Sequence, residues 1–178
     1  SGMVFSTSDY STSFDRIKTP DGKIHIHIEE LVDELRGLAS EEPASPTDAF
    51  PFVLSAGEHR GSTVNDVIRD PSWRKKDKDG ALRINPADAD RLGVIDGQRV
   101  RVITKRGEAE APADITDSMM EGQVSLPHGF GMEYPDENGE HKIHGVSVNE
   151  LTDLEDRDWL ALTPHHKHVR ARLEAVPG

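Results

Sequence analysis

The stretch INPADADRLGVIDGQRVRVITKRGE, residues 84–108, restricts the fold more than any other part of this chain. Asn85 is an N-cap residue type, and Pro86 suits the first helical position, where its missing N–H is not needed. Ala89 and Leu92 then face inward, and Gly93 closes the short helix in the left-handed conformation. Asp96-Gly97 predicts a tight turn, after which Val100, Val102 and Thr104 alternate along a strand. Arg106-Gly107 turns the chain once more, so the unit reads helix, turn, strand, hairpin.

The flanking segments supply further short strands. Phe52, Val53 and Leu54 form an apolar run ending at Gly57, consistent with a buried strand. A strand begins over Pro112–Thr116, Met119 to Gly122 turns the chain, and Val124 to Pro127 runs back. Val169, Ala171 and Leu173 alternate as a closing strand. Between Gly57 and Trp73, the spacing of Val64, Val67 and Ile68 suggests one or two helical turns. Trp73 and Trp159 are expected as packing anchors. Residues 128–168 read as irregular, rich in turn residues and acids. Many short strands, little helix and no βαβ rhythm predict a mainly β fold with short helices, a β-barrel rather than a doubly wound sheet.

Upstream, FSTSDYSTSF is expected to be poorly ordered. Pro20-Asp21-Gly22 signals a turn, and Ile24, Ile26 and Ile28 alternate as a short strand. From Glu29 the positions Leu31, Val32, Leu35, Leu38 and Ala39 recur at helical spacing, with acids in the first turn. The linker EEPASPTDAFP follows. The expected division is an N-terminal extension over 1–47 and a barrel domain over 48–178.

Charge excludes some functions. The chain of 178 residues carries 33 Asp and Glu against 21 Lys and Arg, a formal net charge of −12. That balance disfavours nucleic acid as a partner, since phosphate binding requires an extended basic face. No apolar run is long enough to span a bilayer, so no membrane insertion is expected. The chain has no cysteine, which excludes disulfides, thiolate zinc sites and iron–sulfur ligation within it. No leader pattern opens this stretch, and the expected location is cytoplasmic.

Against that acidity, LTPHHKHVRARL at residues 162–173 is locally basic. His166 and His168 would share one face of a strand and could ligate a metal, although Lys167 between them repels a cation. A histidine could serve as a general acid–base, or Lys167 with a histidine could clamp an anion. A solvated tail with no role is the plain alternative. The loop Gly57-Glu58-His59-Arg60-Gly61-Ser62-Thr63-Val64-Asn65 joins glycines, which admit close backbone approach, to hydroxyl and amide donors and a cation. It suits a nucleotide-like anion, but has neither dinucleotide-fingerprint nor P-loop spacing, and an ordinary polar loop fits it too. Asn149-Glu150-Leu151-Thr152 presents an amide able both to donate and to accept, or else a turn cap. His128-Gly129-Phe130-Gly131 suits close backbone approach or a simple turn.

The order of these segments resembles one family. LSAGEHRGSTVN, INPADADRLGVIDGQRVRVITKRG, GQVSLPHGFG, NELT and TPHHKHVRARLE follow one another as in the C-terminal dinucleotide-binding domain of molybdopterin oxidoreductases, the formate dehydrogenase and nitrate reductase superfamily. The likeness covers about residues 50–175, and PDGKIHIHIEELVDELRGLA resembles the segment leading into that domain. The pattern departs at His165, where an aromatic is usual, and at Arg170, where proline is frequent. The resemblance implies a six-stranded double-psi β-barrel, as in aspartate decarboxylase. It implies a fragment of a formate-dehydrogenase-like enzyme that cannot turn over alone. The cofactor would be molybdopterin guanine dinucleotide with Mo or W. The partners would be the remaining domains of the catalytic subunit, which hold the metal ligand. The isolated domain is expected to be monomeric. By the same resemblance, the loop residues Gly57, Glu58, His59, Arg60, Ser62, Thr63 and Asn65 would contact pterin and pyrophosphate. His128, Asn149, His166 and Lys167 would meet the same cofactor. A stand-alone double-psi binding module, of the kind that recognises substrates for an ATPase, is the alternative, and a self-processing decarboxylase cut at Gly61-Ser62 a weaker one.

Overall fold

The computed structural model describes residues 2, 9–42, 45–60, 70, 74, 77 and 79–177. The chain divides into two units, Ser1–Pro43 and Ala44–Gly178. In the first, Tyr10–Arg16 form a 3-10 helix whose N-cap Asp9 accepts from the Ser11 N–H. Tyr10 to Phe14 of the Ser/Thr-rich stretch lie in this capped 3-10 turn, with no buried residue. Residues 24–28 form no strand, because no second strand among the described residues of this unit pairs with their backbone. Helix α1 spans Glu29–Gly37, with Glu29 and Glu30 in its first turn and Arg36 in its last, and runs into a 3-10 turn at Leu38–Ser40.

The second unit is built on β1 (Phe52–Glu58), β2 (Leu82–Ile84), α2 (Pro86–Leu92), β3 (Arg99–Thr104), β4 (Glu108–Ile115), β5 (Gln123–Pro127), β6 (Met132–Pro135), β7 (His141–His144) and β8 (Val169–Ala175). Six of the strands close into a barrel in the order β1-β5-β2-β4-β3-β8. β1 runs parallel to β5 and β2 parallel to β4, while the other four pairings are antiparallel. β5 therefore lies between β1 and β2, and this crossed order with two parallel pairs is the double-psi arrangement. Closure leaves none of the six strands as an open edge.

Alternation along each strand fills the interior. Phe52, Leu54 and Ala56 of β1 point inward, as do Leu82 and Ile84 of β2 and Val100 and Val102 of β3. Ala111, Ala113, Val124, Leu126, Ala171 and Leu173 complete the packing, small residues sitting among branched ones. Each fully buried Leu, Ile or Val contributes about 1.5–3 kcal/mol relative to its exposed state. Thr104 is the polar member of this layer, and its hydroxyl donates to the Leu151 carbonyl at 2.9 Å.

α2 forms as its residues dictate: Asn85 caps the Ala87 N–H, Pro86 opens the helix, and Gly93 ends it at φ +66°. Asp88, wholly buried, accepts from the Gly122 N–H at 2.7 Å and from Arg91, and so ties α2 to the turn before β5. The 128–168 region is less irregular than expected, since β6 and β7 pair as a hairpin separate from the barrel. Trp159 is 58% exposed and anchors no core. The helical turns expected at Val64–Ile68, and Trp73, lie outside the described residues.

Candidate functional site

The ends of β1 and β5 and the loop before β8 meet at one mouth of the barrel. β1 bulges between Ala56 and Glu58, where its register with β5 shifts. Gly57 sits in that bulge at φ +81°, a conformation side-chain-bearing residues rarely adopt. The Ala56 N–H donates to the His166 carbonyl at 2.7 Å, and the His128 N–H donates to the Glu58 carbonyl. These bonds bring His128 and His166 to either side of Gly57. Lys167 Nζ closes the group by donating to the Gly57 carbonyl at 2.8 Å.

A cavity of about 540 Å³ opens here. Its polar lining comes from His128, Ser147, Asn149, His166 and Lys167, and its apolar wall includes Phe130 and Val148. Among the described residues no carboxylate lines it, in a chain with 33 acidic residues. Lys167 uses one of its three donors on Gly57, and the Asn149 amide bonds to no described residue, which leaves both able to meet a ligand. The 3-10 turn Val148–Glu150 places Asn149 on the cavity rim by burying Val148 beside it. Such a cavity suits an anion joined to a polar ring system. Among the described residues no three His, Asp or Glu side chains converge as a metal would require.

His59 stands behind His128. Their Nε2 atoms lie 3.2 Å apart and the rings meet edge to face. One ring donates and the other accepts, so this hydrogen bond fixes the two tautomers relative to each other.

Phe130 shapes the opposite wall. It is buried, the Arg74 guanidinium carbon lies 4.2 Å from its ring centre, and Arg74 also donates to the Gly129 carbonyl. Gly145, at φ +69°, packs so closely on the ring that a Cβ there would come within 2.5 Å of the Asp79 carbonyl oxygen and 2.7 Å of the ring itself.

Glu58 and Arg60 point elsewhere. The Glu58 carboxylate accepts from Arg60 Nε at 2.9 Å and Nη2 at 2.8 Å, from Ser125 Oγ at 2.7 Å, and from Arg83. Arg60 also reaches Asp77 and the Ala81 carbonyl, and its side chain is only 11% exposed. Burial alone would raise the Glu58 pKa. The hydrogen bonds from Arg60 and Ser125, with the charges of Arg60 and Arg83, outweigh it and hold the carboxyl below its ordinary value. This network braces the end of β1 against β2 and β5 instead of lining the cavity.

Of the residues singled out in the sequence, Gly57, His128, Asn149, His166 and Lys167 thus converge on one cavity, with His59 behind His128. Ser62, Thr63 and Asn65 lie outside the described residues. Sequence reasoning missed Phe130 and Val148 as wall residues, although a lone aromatic between two glycines was the available signal for the first.

The model of the molydopterin dinucleotide binding domain matches residues 52–170, from the first residue of β1 into β8. The chain belongs to this family. The chain is 29% identical over 170 residues to a putative dimethyl sulfoxide reductase chain, YnfE, of Escherichia coli, covering 86% of this chain and 21% of that protein. It is 30% identical over 115 residues to the F420-dependent formate dehydrogenase 1 subunit alpha of Methanococcus maripaludis, covering 63% of this chain and 16% of that one. Acetylene hydratase from Pelobacter acetylenicus shares the fold, with a TM-score of 0.56 at 17% identity over 94% of this chain and 23% of its own. The chain spans about a fifth of the length of the curated relatives it matches.

Proposed function

We propose that this molydopterin dinucleotide binding domain binds and orients the bis-molybdopterin guanine dinucleotide, carrying Mo or W, of a larger oxidoreductase. The observation behind this reading is the carboxylate-free cavity of His128, Asn149, His166 and Lys167 in a chain of net charge −12. Each residue present fits such a group. Lys167 offers an ammonium to anionic oxygens, and Asn149 offers a donor and an acceptor to the edge of a heterocycle. Gly57 lets the backbone approach closely, while Phe130 and Val148 exclude water from one side. When bound, the cofactor supplies two-electron redox chemistry at its metal, and the domain's part is to hold and orient it. The remaining domains of the catalytic subunit are the partners, and they supply the metal ligand.

On substrate, we keep a formate-dehydrogenase-like enzyme. Two F420-dependent formate dehydrogenase alpha subunits share 30% and 32% identity with this chain over 115 and 90 residues. The test is Lys167→Ala and Asn149→Ala in the full-length enzyme, with metal content by mass spectrometry and pterin content by fluorescence after oxidation. A lost charge-assisted hydrogen bond should weaken cofactor retention about tenfold or more. Full metal and pterin content in both variants would remove the cofactor assignment. Turnover with dimethyl sulfoxide but not with formate would move the substrate to the sulfoxide class while leaving the cofactor role intact.

A further inference from the structure

The asparagines of the chain stand before different residues: Asn65 before aspartate, Asn85 before Pro86, Asn149 before Glu150, and Asn138 before Gly139. Only Asn138 is followed by a backbone nitrogen that no side chain shields, and both residues of this pair are exposed. The pair sits at the tip of the β6–β7 hairpin. There the Gly139 N–H donates to the Asp136 carbonyl at 2.9 Å, and the Asp136 N–H donates to the Glu140 carbonyl at 2.8 Å. With Gly139 at φ +81°, the loop is a turn that ends on a left-handed glycine. The Asp136 carboxylate, 17% exposed, holds this loop from within. It accepts from the Asn138 N–H at 2.8 Å, the Glu140 N–H at 3.0 Å and Lys142 Nζ at 2.6 Å. The Asn138 side-chain amide bonds to no described residue.

We propose that Asn138 is a site of spontaneous deamidation and that Asp136 sets its rate. The Gly139 nitrogen attacks Asn138 Cγ, and a C–N bond forms as the side-chain amide leaves as ammonia. The proton of the Gly139 N–H passes through water to that leaving group. Water then opens the cyclic imide at either carbonyl, giving aspartate or isoaspartate. Attack requires the Gly139 nitrogen to leave the Asp136 carbonyl and turn towards Cγ, so the reaction runs from the opened loop. Asp136, by holding three donors at once, keeps that opening infrequent. Two other asparagines are guarded differently. The Asn85 side chain is engaged by the Ala87 N–H and the Met119 carbonyl, and the ring nitrogen of Pro86 cannot close the imide. The Glu150 N–H after Asn149 is held by the Ser147 carbonyl. Isoaspartate at 138 lengthens the main chain by a methylene, and either product sets a new carboxylate beside Asp136, Glu137 and Glu140. Among the described residues β6 and β7 pair with each other and not with the barrel, so the change loosens the hairpin and leaves the barrel closed.

The experiment is incubation of the full 178-residue chain at pH 8 and 37 °C, with and without unfolding urea, followed by peptide mass spectrometry and enzymatic methylation of isoaspartate. Conversion at residue 138 should outrun that at Asn85 and Asn149, with isoaspartate the major product. The folded chain should convert about fivefold more slowly than the unfolded one, and Asp136→Ala should recover most of that difference. Lys142→Ala leaves both backbone bonds to Asp136 in place and should accelerate conversion about twofold. Converted protein should lose the β6–β7 cross-strand contacts in two-dimensional NMR while the barrel signals keep their positions. Equal rates with and without urea, an Asp136→Ala chain that converts no faster than wild type, or conversion at Asn85 or Asn149 as fast as at Asn138 would each overturn the proposal.

Discussion

Replacing Glu58 with glutamine tests whether the end of β1 is held by charge. The carboxylate accepts four hydrogen bonds, two from Arg60 and one each from Arg83 and Ser125. Oε2 serves Arg60 and Ser125, while Oε1 serves Arg83. An amide keeps one acceptor and turns the other oxygen into a donor, so in either orientation one guanidinium faces an N–H. The milder choice leaves the oxygen on Arg60, whose side chain is 11% exposed, and releases Arg83, which is 34% exposed and keeps Asp114. Losing one charge-assisted bond and weakening two others, discounted for partial exposure, comes to about 2 kcal/mol. For a unit of this size that is roughly 5–10 °C in Tm. The folded-state pKa of Glu58 lies below the ordinary value of 4.5. Its contribution is therefore complete above about pH 4.5 and disappears as pH falls through the lower folded-state value. Thermal melts should show a constant gap between wild type and variant from pH 6 to 8, narrowing below pH 4.5. A gap under 1 °C at pH 7, or one that widens on acidification, would refute the bracing argument.

Asp88→Ala removes the acceptor of the Gly122 N–H from a wholly buried position, and urea unfolding should show a loss of about 2 kcal/mol, with Asp88→Asn milder. Gly145→Ala combines a positive φ with overlap on the Asp79 carbonyl and Phe130. About 3 kcal/mol of destabilisation is expected in chemical denaturation, and NMR should show the 128–131 loop displaced. Asn85→Ala deletes the α2 cap and the amide's bond to the Met119 carbonyl, and should cost about 1–2 kcal/mol in the same assay.

Much of the barrel was legible because its cues are local. Asn85, Pro86 and Gly93 bound α2 through their own backbone preferences, β1 follows from an apolar run, β5 from the turn before it, and β3 and β8 from alternation. The β6–β7 hairpin was not legible, since Glu133, Asp136, Glu137 and Glu140 hide its pairing behind a charged surface. The Ile24–Ile28 alternation misled, because period two shows an extended segment but not whether a partner strand exists. At the site, Lys167, Asn149 and the glycine at 57 were visible as residue types suited to a ligand. The same logic could not separate Arg60 from them. A guanidinium beside a glycine looks alike whether it faces a ligand or is enclosed by Glu58 and by Asp77, seventeen residues further along.

The order of the barrel strands also has a kinetic side. β8 pairs with β1 through Phe52–Ala171, a separation of well over a hundred residues, and no shorter route closes the cylinder. Contacts this distant in sequence carry a large loop-closure entropy and slow the folding of β topologies. His166 and Lys167 lie just before β8, so their place at the mouth depends on the pairing of β8 with β1. During synthesis, every strand up to β7 can emerge and still leave half of the cavity unbuilt. Until β8 pairs, a nascent chain therefore lacks the His166 and Lys167 side of the cavity.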